Sequence, residues 1–266
     1  MKRVKDAASK FVQIYCREQT MYPVKVHKGF SVSIFLLATT LVSSVVNATE
    51  LDPVALVKEM SKEIAGFDSF ILQGDTYVDA RLDAGQIIEH SAQITMRVVR
   101  PGLVRITNKS LETTKEIYLE GHLLTIYDSS TGFYGQKEIP SEIDEPLKYS
   151  VDNLGIDAPL LDILDRDLTL ALLEQATEVQ YLGESLVRGK TYHQIGFRLP
   201  EIDLQLWIRS EGRPLPGKFV ISAKWEGGSP RTVSFINWEV NPTISPKLLK
   251  FDAPKNAIKI EIQTNH

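Results

Sequence analysis

Histidines, cysteines and clustered carboxylates are the side chains through which this chain of 266 residues could do chemistry, and they are few and scattered. Beyond His27 there are four histidines, His90, His122, His193 and His266. No two stand at ligand spacing, and there is no His-Glu-x-x-His run or cysteine cluster, so no metal is expected. His90 and His193 fall on the apolar side of alternating stretches, which reads as core histidines satisfied by a neighbour. Gly183-Glu184-Ser185-Leu186-Val187 follows a nucleophile elbow until Val187, where a glycine is required, and it opens a strand pair instead of a strand–turn–helix. Asp162, Asp165 and Asp167 crowd one helix end. Without the glycine and closing glutamate of a calcium loop they read as a solvated acidic end. No glycine-rich loop precedes a helix, so no phosphate cradle is expected. Asn108-Lys109-Ser110 fits a glycosylation acceptor, a pattern common by chance. No residue set supports catalysis, and neither enzyme nor cofactor is expected.

The address is plainer. Phe30 to Val46, FSVSIFLLATTLVSSVV, runs without a single charge. Lys25 and Lys28 precede it, and Val46-Asn47-Ala48 places small residues where a signal peptidase reads. Residues 1–48 are therefore expected to be a secretory signal cleaved after Ala48. Met21 offers a second translation start, from which that signal has a conventional length. The whole chain holds 30 Lys+Arg and 34 Asp+Glu; residues 1–48 take 7 and 2 of these, leaving 23 and 32, a net charge of −9 with His neutral. An acidic chain without a basic stripe suits no nucleic acid. The single Cys16 lies upstream of the apolar run, so the mature chain is expected to lack disulfides, thiol nucleophiles and a lipidated cysteine. What remains after cleavage is long enough to bury a core without such staples.

The elements that must position any site are mostly strands. In Ile202 to Trp225, the apolar Ile202, Leu204, Leu206 and Ile208 alternate with Asp203, Gln205, Trp207 and Arg209. After Glu211-Gly212-Arg213-Pro214, the residues Phe219, Ile221, Ala223 and Trp225 alternate with Lys218, Val220, Ser222 and Lys224. Period two marks a long antiparallel hairpin with one apolar face. Upstream, Asp52-Pro53 starts a helix whose Pro53, Val57, Met60, Ile64 and Phe67 share a stripe, with Gly66 at its exit. Ser69–Asp83 and Gln86–Arg100 form another long hairpin, with a bulge expected at Gly74. Shorter strands follow to Ile139 through tight turns. A helical insert then spans Pro140 to about Leu173, including Ile143, Leu147, Val151 and Leu154, a start at Asp157-Ala158-Pro159, and the apolar stretch from Leu160. Strands resume at Glu178 and end near Ile258, Ile260 and Ile262. About eleven or twelve strands with tight turns and no crossover helices imply an antiparallel sheet that must curl or split.

Taken together, the signal, the Leu51-Asp52-Pro53 helix, the long hairpin, the insert, Arg213-Pro214-Leu215-Pro216-Gly217-Lys218-Phe219-Val220-Ile221 and Asn237-Trp238-Glu239-Val240-Asn241-Pro242 resemble a family of predicted periplasmic proteins. That family is itself similar to the outer-membrane lipoprotein carrier superfamily. The resemblance implies an α+β, mainly β fold: a curved antiparallel sheet of about eleven strands, a half-open barrel over residues 49–266, with helices closing its mouth over an apolar cavity. In that container, the candidate lining is Ile94, Met96, Leu160, Leu161, Leu164, Leu168, Leu172, Leu204, Leu206, Phe219 and Ile221. The implied role is a soluble periplasmic carrier or sensor of a lipid or acylated molecule, with transient contact with a membrane surface. The alternative is a filled core used as a docking module for an envelope protein.

Overall fold

The structure, a computed structural model, describes residues 51–82, 85–142, 146–154, 160, 172–224 and 231–262. The expected signal peptide, the turn at Asp83-Ala84, the helix start at Asp157, the three aspartates Asp162, Asp165 and Asp167, Trp225 and His266 lie outside the described residues. Among the described residues no helix is long and apolar enough to cross a membrane.

The first helix, α1 (Pro53–Ala65), starts where the sequence places it. Asp52 Oδ1 accepts the Val54 N–H at 2.9 Å, and Pro53 occupies the first helical position. Val57, Met60, Ser61 and Ile64 are buried at the spacing of one helix face. The exit falls at Gly66 as expected, its N–H donating to the Glu63 carbonyl at 3.1 Å. Gly66 keeps a right-handed backbone (φ −82°), so its glycine freedom is not used there. Arg100 completes the helix end: its Nη1 donates to the carbonyls of Ile64, Ala65 and Phe67 at 3.1, 2.9 and 2.8 Å, a cation at the negative end of the helix dipole.

Twelve strands make one sheet: β1 (Ser69–Arg81), β2 (Ile87–Val99), β3 (Leu103–Lys109), β4 (Thr114–Glu120), β5 (Leu123–Asp128), β6 (Phe133–Glu138), β7 (Glu178–Val187), β8 (Lys190–Arg198), β9 (Ile202–Arg209), β10 (Pro216–Ala223), β11 (Arg231–Val240) and β12 (Ile258–Ile260). Their order is β12-β6-β5-β4-β3-β2-β1-β11-β10-β9-β8-β7. The chain meanders outward from β1 to β6 and passes through helix α2 (Pro146–Leu154) to the far edge. It then works back until β11 pairs with the other side of β1. The sheet is open and curved, and every pairing is antiparallel except β12 with β6, which is parallel. Adding a chain end to an edge strand needs no tight turn, so that exception to the expected antiparallel sheet costs no strained connection.

Gly74 is not a bulge. The β1 register runs unbroken through it, from Phe70 paired with Val240 to Val78 paired with Thr232. The register shifts fall between Tyr181 and Gly183 in β7 and between Pro216 and Lys218 in β10.

The convex face is not simply wet. Trp207, expected to look outward, is buried with Tyr192 and Val220 in a second, smaller cluster. Its Nε1 donates to Ser185 Oγ at 2.7 Å, and the Lys218 ammonium lies 4.2 Å from its ring centre. The hairpin formed by β7 and β8 supplies this cover. Its turn residue Arg188 reaches Asp75 at 3.3 Å and lies over Phe235. On the other wing, Phe251 packs among Tyr118, Tyr127 and Tyr134 before the chain enters β12.

Candidate functional site

The concave face is built from cross-strand rows, because partners in register share a face and every second residue repeats it. One row reads Trp238, Leu72, Met96, Ile106, Ile117, Ile126, Gly135 and Ile260, from β11 through β1 to β12. The next reads Ile236, Gly74, Ile94, Asn108, Lys115, Asp128, Phe133 and Ile258. On the other wing, Thr76, Ser234, Phe219, Leu206, Ile195 and Tyr181 form a row, and Val78, Thr232, Ile221, Leu204, Phe197 and Val179 another. Twelve of these residues belong to one core cluster with Val57, Met60 and Ile64 of α1, and Trp238, Ile126 and Val179 pack against it.

Gly74 is the seat of the cover. A Cβ there would stand 2.7 Å from Leu160 Cδ1, so Leu160 lodges over a position that has no side chain. Leu160 is 1% exposed and has φ 67°, a left-handed backbone costing about 1–2 kcal/mol. Burying its side chain returns roughly 1.5–3 kcal/mol. Leu147, Leu154, Leu172 and Leu173 also pack on the core from this side.

Towards β12 the same face is only partly covered: Phe133 is 41% exposed, Ile258 57% and Ile260 49%, whereas Gly135 is buried beneath Ile262, whose Cγ1 would stand 2.6 Å from a Cβ there. Between β1–β2 and β3–β4 a cavity of about 210 Å³ opens. Its apolar lining includes Val78, Ala92, Ile106 and Ile117, and its polar lining includes Thr76, His90, Asn108 and Lys115. Thr76 and Ser234 are buried and satisfy each other, oxygen to oxygen at 2.9 Å. Asn108 and Lys115 make no side-chain hydrogen bond or ion pair with any described residue.

Of the candidate lining residues, Ile94, Met96, Leu160, Leu204, Leu206, Phe219 and Ile221 are buried in the one core cluster, and Leu172 packs against it. They share the concave face, with Ile94 beside Gly74 and the hairpin residues in the two rows of the opposite wing. Leu161, Leu164 and Leu168 lie outside the described residues. None of the eight described ones lines the 210 Å³ cavity. The cavity's Asn108 and Lys115 are not among the candidate lining residues, and the sequence singles out Asn108 only within a glycosylation pattern. Their place in an inward row appears only through register.

His90 is exposed at the cavity rim, on the part of β2 that extends past β3, and is not a core histidine. His193 is satisfied as expected, its Nδ1 lying 3.0 Å from the Tyr181 hydroxyl. Ser185 is engaged by Trp207. Among the described residues no three His, Cys, Asp or Glu side chains gather at metal-binding distance.

The motifs that carried the resemblance converge on one structural knot. Trp238 Nε1 donates to the Pro216 carbonyl at 2.8 Å and its ring packs on Phe67 and Phe70. Arg213 pairs with Glu63 of α1 at 2.5 Å, and Asn241 Oδ1 accepts the Asp68 and Ser69 N–H groups at 3.1 and 3.3 Å. These residues fasten α1 across the end of the sheet.

The family model described as "Predicted periplasmic protein (DUF2092)" matches residues 54–263. A comparison with curated proteins finds no sequence match. Among solved structures, the Mycobacterium tuberculosis lipoprotein LppX is 12% identical, with 73% of this chain and 97% of that one covered and a TM-score of 0.45. The Pseudomonas aeruginosa MucA/MucB complex gives 16% identity, 76% and 62% coverage and a TM-score of 0.43. A LolA superfamily protein from Nitrosomonas europaea gives 12% identity, 76% and 98% coverage and a TM-score of 0.31.

Proposed function

Since the chain belongs to the DUF2092 family of predicted periplasmic proteins, we propose that it binds a lipid or acyl chain on the concave face of its sheet and carries or senses it without chemical change. The observation that supports this reading is the apolar concave face itself. It is packed beneath Leu160 and α1 at the centre and left partly open at Phe133, Ile258 and Ile260. An aliphatic chain laid across β2 to β12 would continue the buried rows over that open part. At about 0.8 kcal/mol per methylene, a long acyl chain gains on the order of 10 kcal/mol gross. That is enough for micromolar capture once association costs are subtracted.

The candidate lining Ile94, Met96, Leu160, Leu172, Leu204, Leu206, Phe219 and Ile221 takes part in this reading as the floor and lid. Leu160 is the part most readily exchanged, because its seat at Gly74 accepts any aliphatic group of similar width. Native mass spectrometry and solvent extraction of the purified protein test the proposal. A bound or exchangeable amphiphile is expected, and Gly74→Leu, which fills the seat, should reduce its occupancy severalfold. A protein that neither carries nor takes up any amphiphile would refute it.

A second reading, a docking module for an envelope protein, draws on β7. This strand ends the sheet, and its Leu182 and Leu186 are exposed. A partner that binds delipidated and lipid-loaded protein equally, and is lost on Leu186→Lys, would favour it.

A further inference from the structure

The small cavity between β1–β2 and β3–β4 has a chemistry of its own. Its row of the sheet places Asn108 and Lys115 where the neighbouring row carries Ile106 and Ile117. The convex-side residues of the same two strands are tied down: Arg105 pairs with Glu116 at 2.5 Å, and Glu116 also accepts the Tyr118 hydroxyl. Asn108 and Lys115 have no such partner among the described residues. Asp128, in register with Lys115, feels the ammonium's charge without touching it and spends its Oδ1 on the Ser130 N–H and hydroxyl of its own turn. Among the described residues no carboxylate lines the cavity. The site thus offers an ammonium with three donors, a carboxamide and the hydroxyl of Thr113, the Ser110 hydroxyl being engaged with the Thr113 backbone, with no carboxylate of the described lining in contact to compete for them.

Its volume, about 210 Å³, holds about seven waters at roughly 30 Å³ each, which suits a small polar group and not a whole lipid. Its floor, Ile106 and Ile117, belongs to the row that continues through Ile126 towards the exposed Ile260, and Phe133 and Ile258 continue the row of Lys115. Polar donors at one end and apolar side chains leading away, past Asp128 in one row and Ile262 over Gly135 in the other, make an amphiphile's outline.

We propose that this cavity receives the anionic head, phosphate or carboxylate, of a single-chain or acylated amphiphile whose hydrocarbon lies along the concave face. The assignment rests on the lipid-binding reading above and names its ligand class. Lys115 supplies the charge, Asn108 directs the head oxygens, and both sit on paired strands that hold them in place.

The test uses the full chain as purified, delipidated and titrated calorimetrically with three probes: a single-chain phosphoglycerol lipid, the straight-chain alcohol of equal length, and inorganic phosphate. The phosphoglycerol lipid should bind about tenfold more tightly than the alcohol. Lys115→Glu should abolish that preference while leaving the alcohol's affinity within about twofold, since Lys115 is exposed and its loss disturbs no packing. Lys115→Gln, of nearly equal size, should give the same direction with a smaller loss. Alcohol and lipid binding equally, or a preference that survives both substitutions, overturns the head-group assignment and leaves the lipid-binding reading standing. Inorganic phosphate displacing the lipid at matched concentration overturns it in favour of a free-anion site. If neither the lipid nor the alcohol binds, both readings fail together.

Discussion

Arg100 gathers three carbonyl oxygens at the end of α1 from a strand residue that sequence periodicity places on the margin of β2. Removing it strips charge-assisted bonds from partly buried acceptors, so Arg100→Met should lower stability by about 2–3 kcal/mol, read as a shift of the urea midpoint at constant slope. A midpoint within error of the parent would mean water replaces the guanidinium at no cost. Tyr118 makes a pH-dependent case. Burial, reinforced by its hydrogen bond to Glu116 and that carboxylate's charge, holds its phenol well above the ordinary tyrosine range. A raised folded-state value means its contribution is intact below the ordinary tyrosine range and is lost as pH rises towards the folded-state value. Alkaline titration followed by tyrosinate absorbance should show a late-ionising component that shrinks in Tyr118→Phe, with Tyr181, also raised by burial and the Glu184 charge, supplying the remainder. An unchanged late component would assign it to another tyrosine. Gly74 shows where single-residue reading stops. Its type was legible, but a glycine inside a strand reads equally as a bulge or as a close approach, and only Leu160 above it decides which.

Elements were legible in proportion to how local their cause is. α1 has its cap, its proline and its apolar stripe within one short stretch of chain, and its start was readable to the residue. The strands from β1 to β11 declare themselves by alternation. The β12 pairing does not, because so short a strand chooses a partner far away in the chain, and the choice is made by the segment that delivers it. That segment is anchored by Phe251 in its tyrosine box. Phe251→Ala should cost about 2–3 kcal/mol and release the chain end from β6. Hydrogen exchange should then rise selectively in β6, and exchange confined to residues 243–262 would show that β6 holds without it. Similarly, Gly217 faces the Tyr192 ring, which a Cβ would meet at 2.3 Å. Gly217→Ala should therefore destabilise by about 1–3 kcal/mol through forced displacement of the ring, measured as a lower urea midpoint.

Taken as a whole molecule, the curved sheet presents two faces with different fates. The convex face is covered by its own chain, through the β7–β8 hairpin on one wing and the segment around Phe251 on the other. The concave face is covered by α1 and by side chains such as Leu160 and, over Gly135, Ile262, and is partly open towards β12. A ligand that binds only the folded state adds about 2.7 kcal/mol at a hundred times its Kd. For a domain of this size that corresponds to several degrees of Tm. Loading the delipidated protein with the phosphoglycerol lipid should therefore raise Tm, and Gly74→Leu should blunt the rise. Equal Tm with and without lipid would contradict binding to the folded sheet.

Local order along the chain was enough to tell which residues share a face, where most strands begin and end, and that the chain resembles a periplasmic half-barrel family. Period two and period 3.6 are properties of neighbouring residues, and no distant contact is needed to read them. What lies opposite each face came only with the folded arrangement. Register brings Asn108 and Lys115 into a row of core residues, curvature sets Leu160 over Gly74, and the returning β7–β8 hairpin buries Trp207 on the side that alternation assigned to water. Alternation says that a face is apolar, whereas what fills it depends on residues far away in the chain.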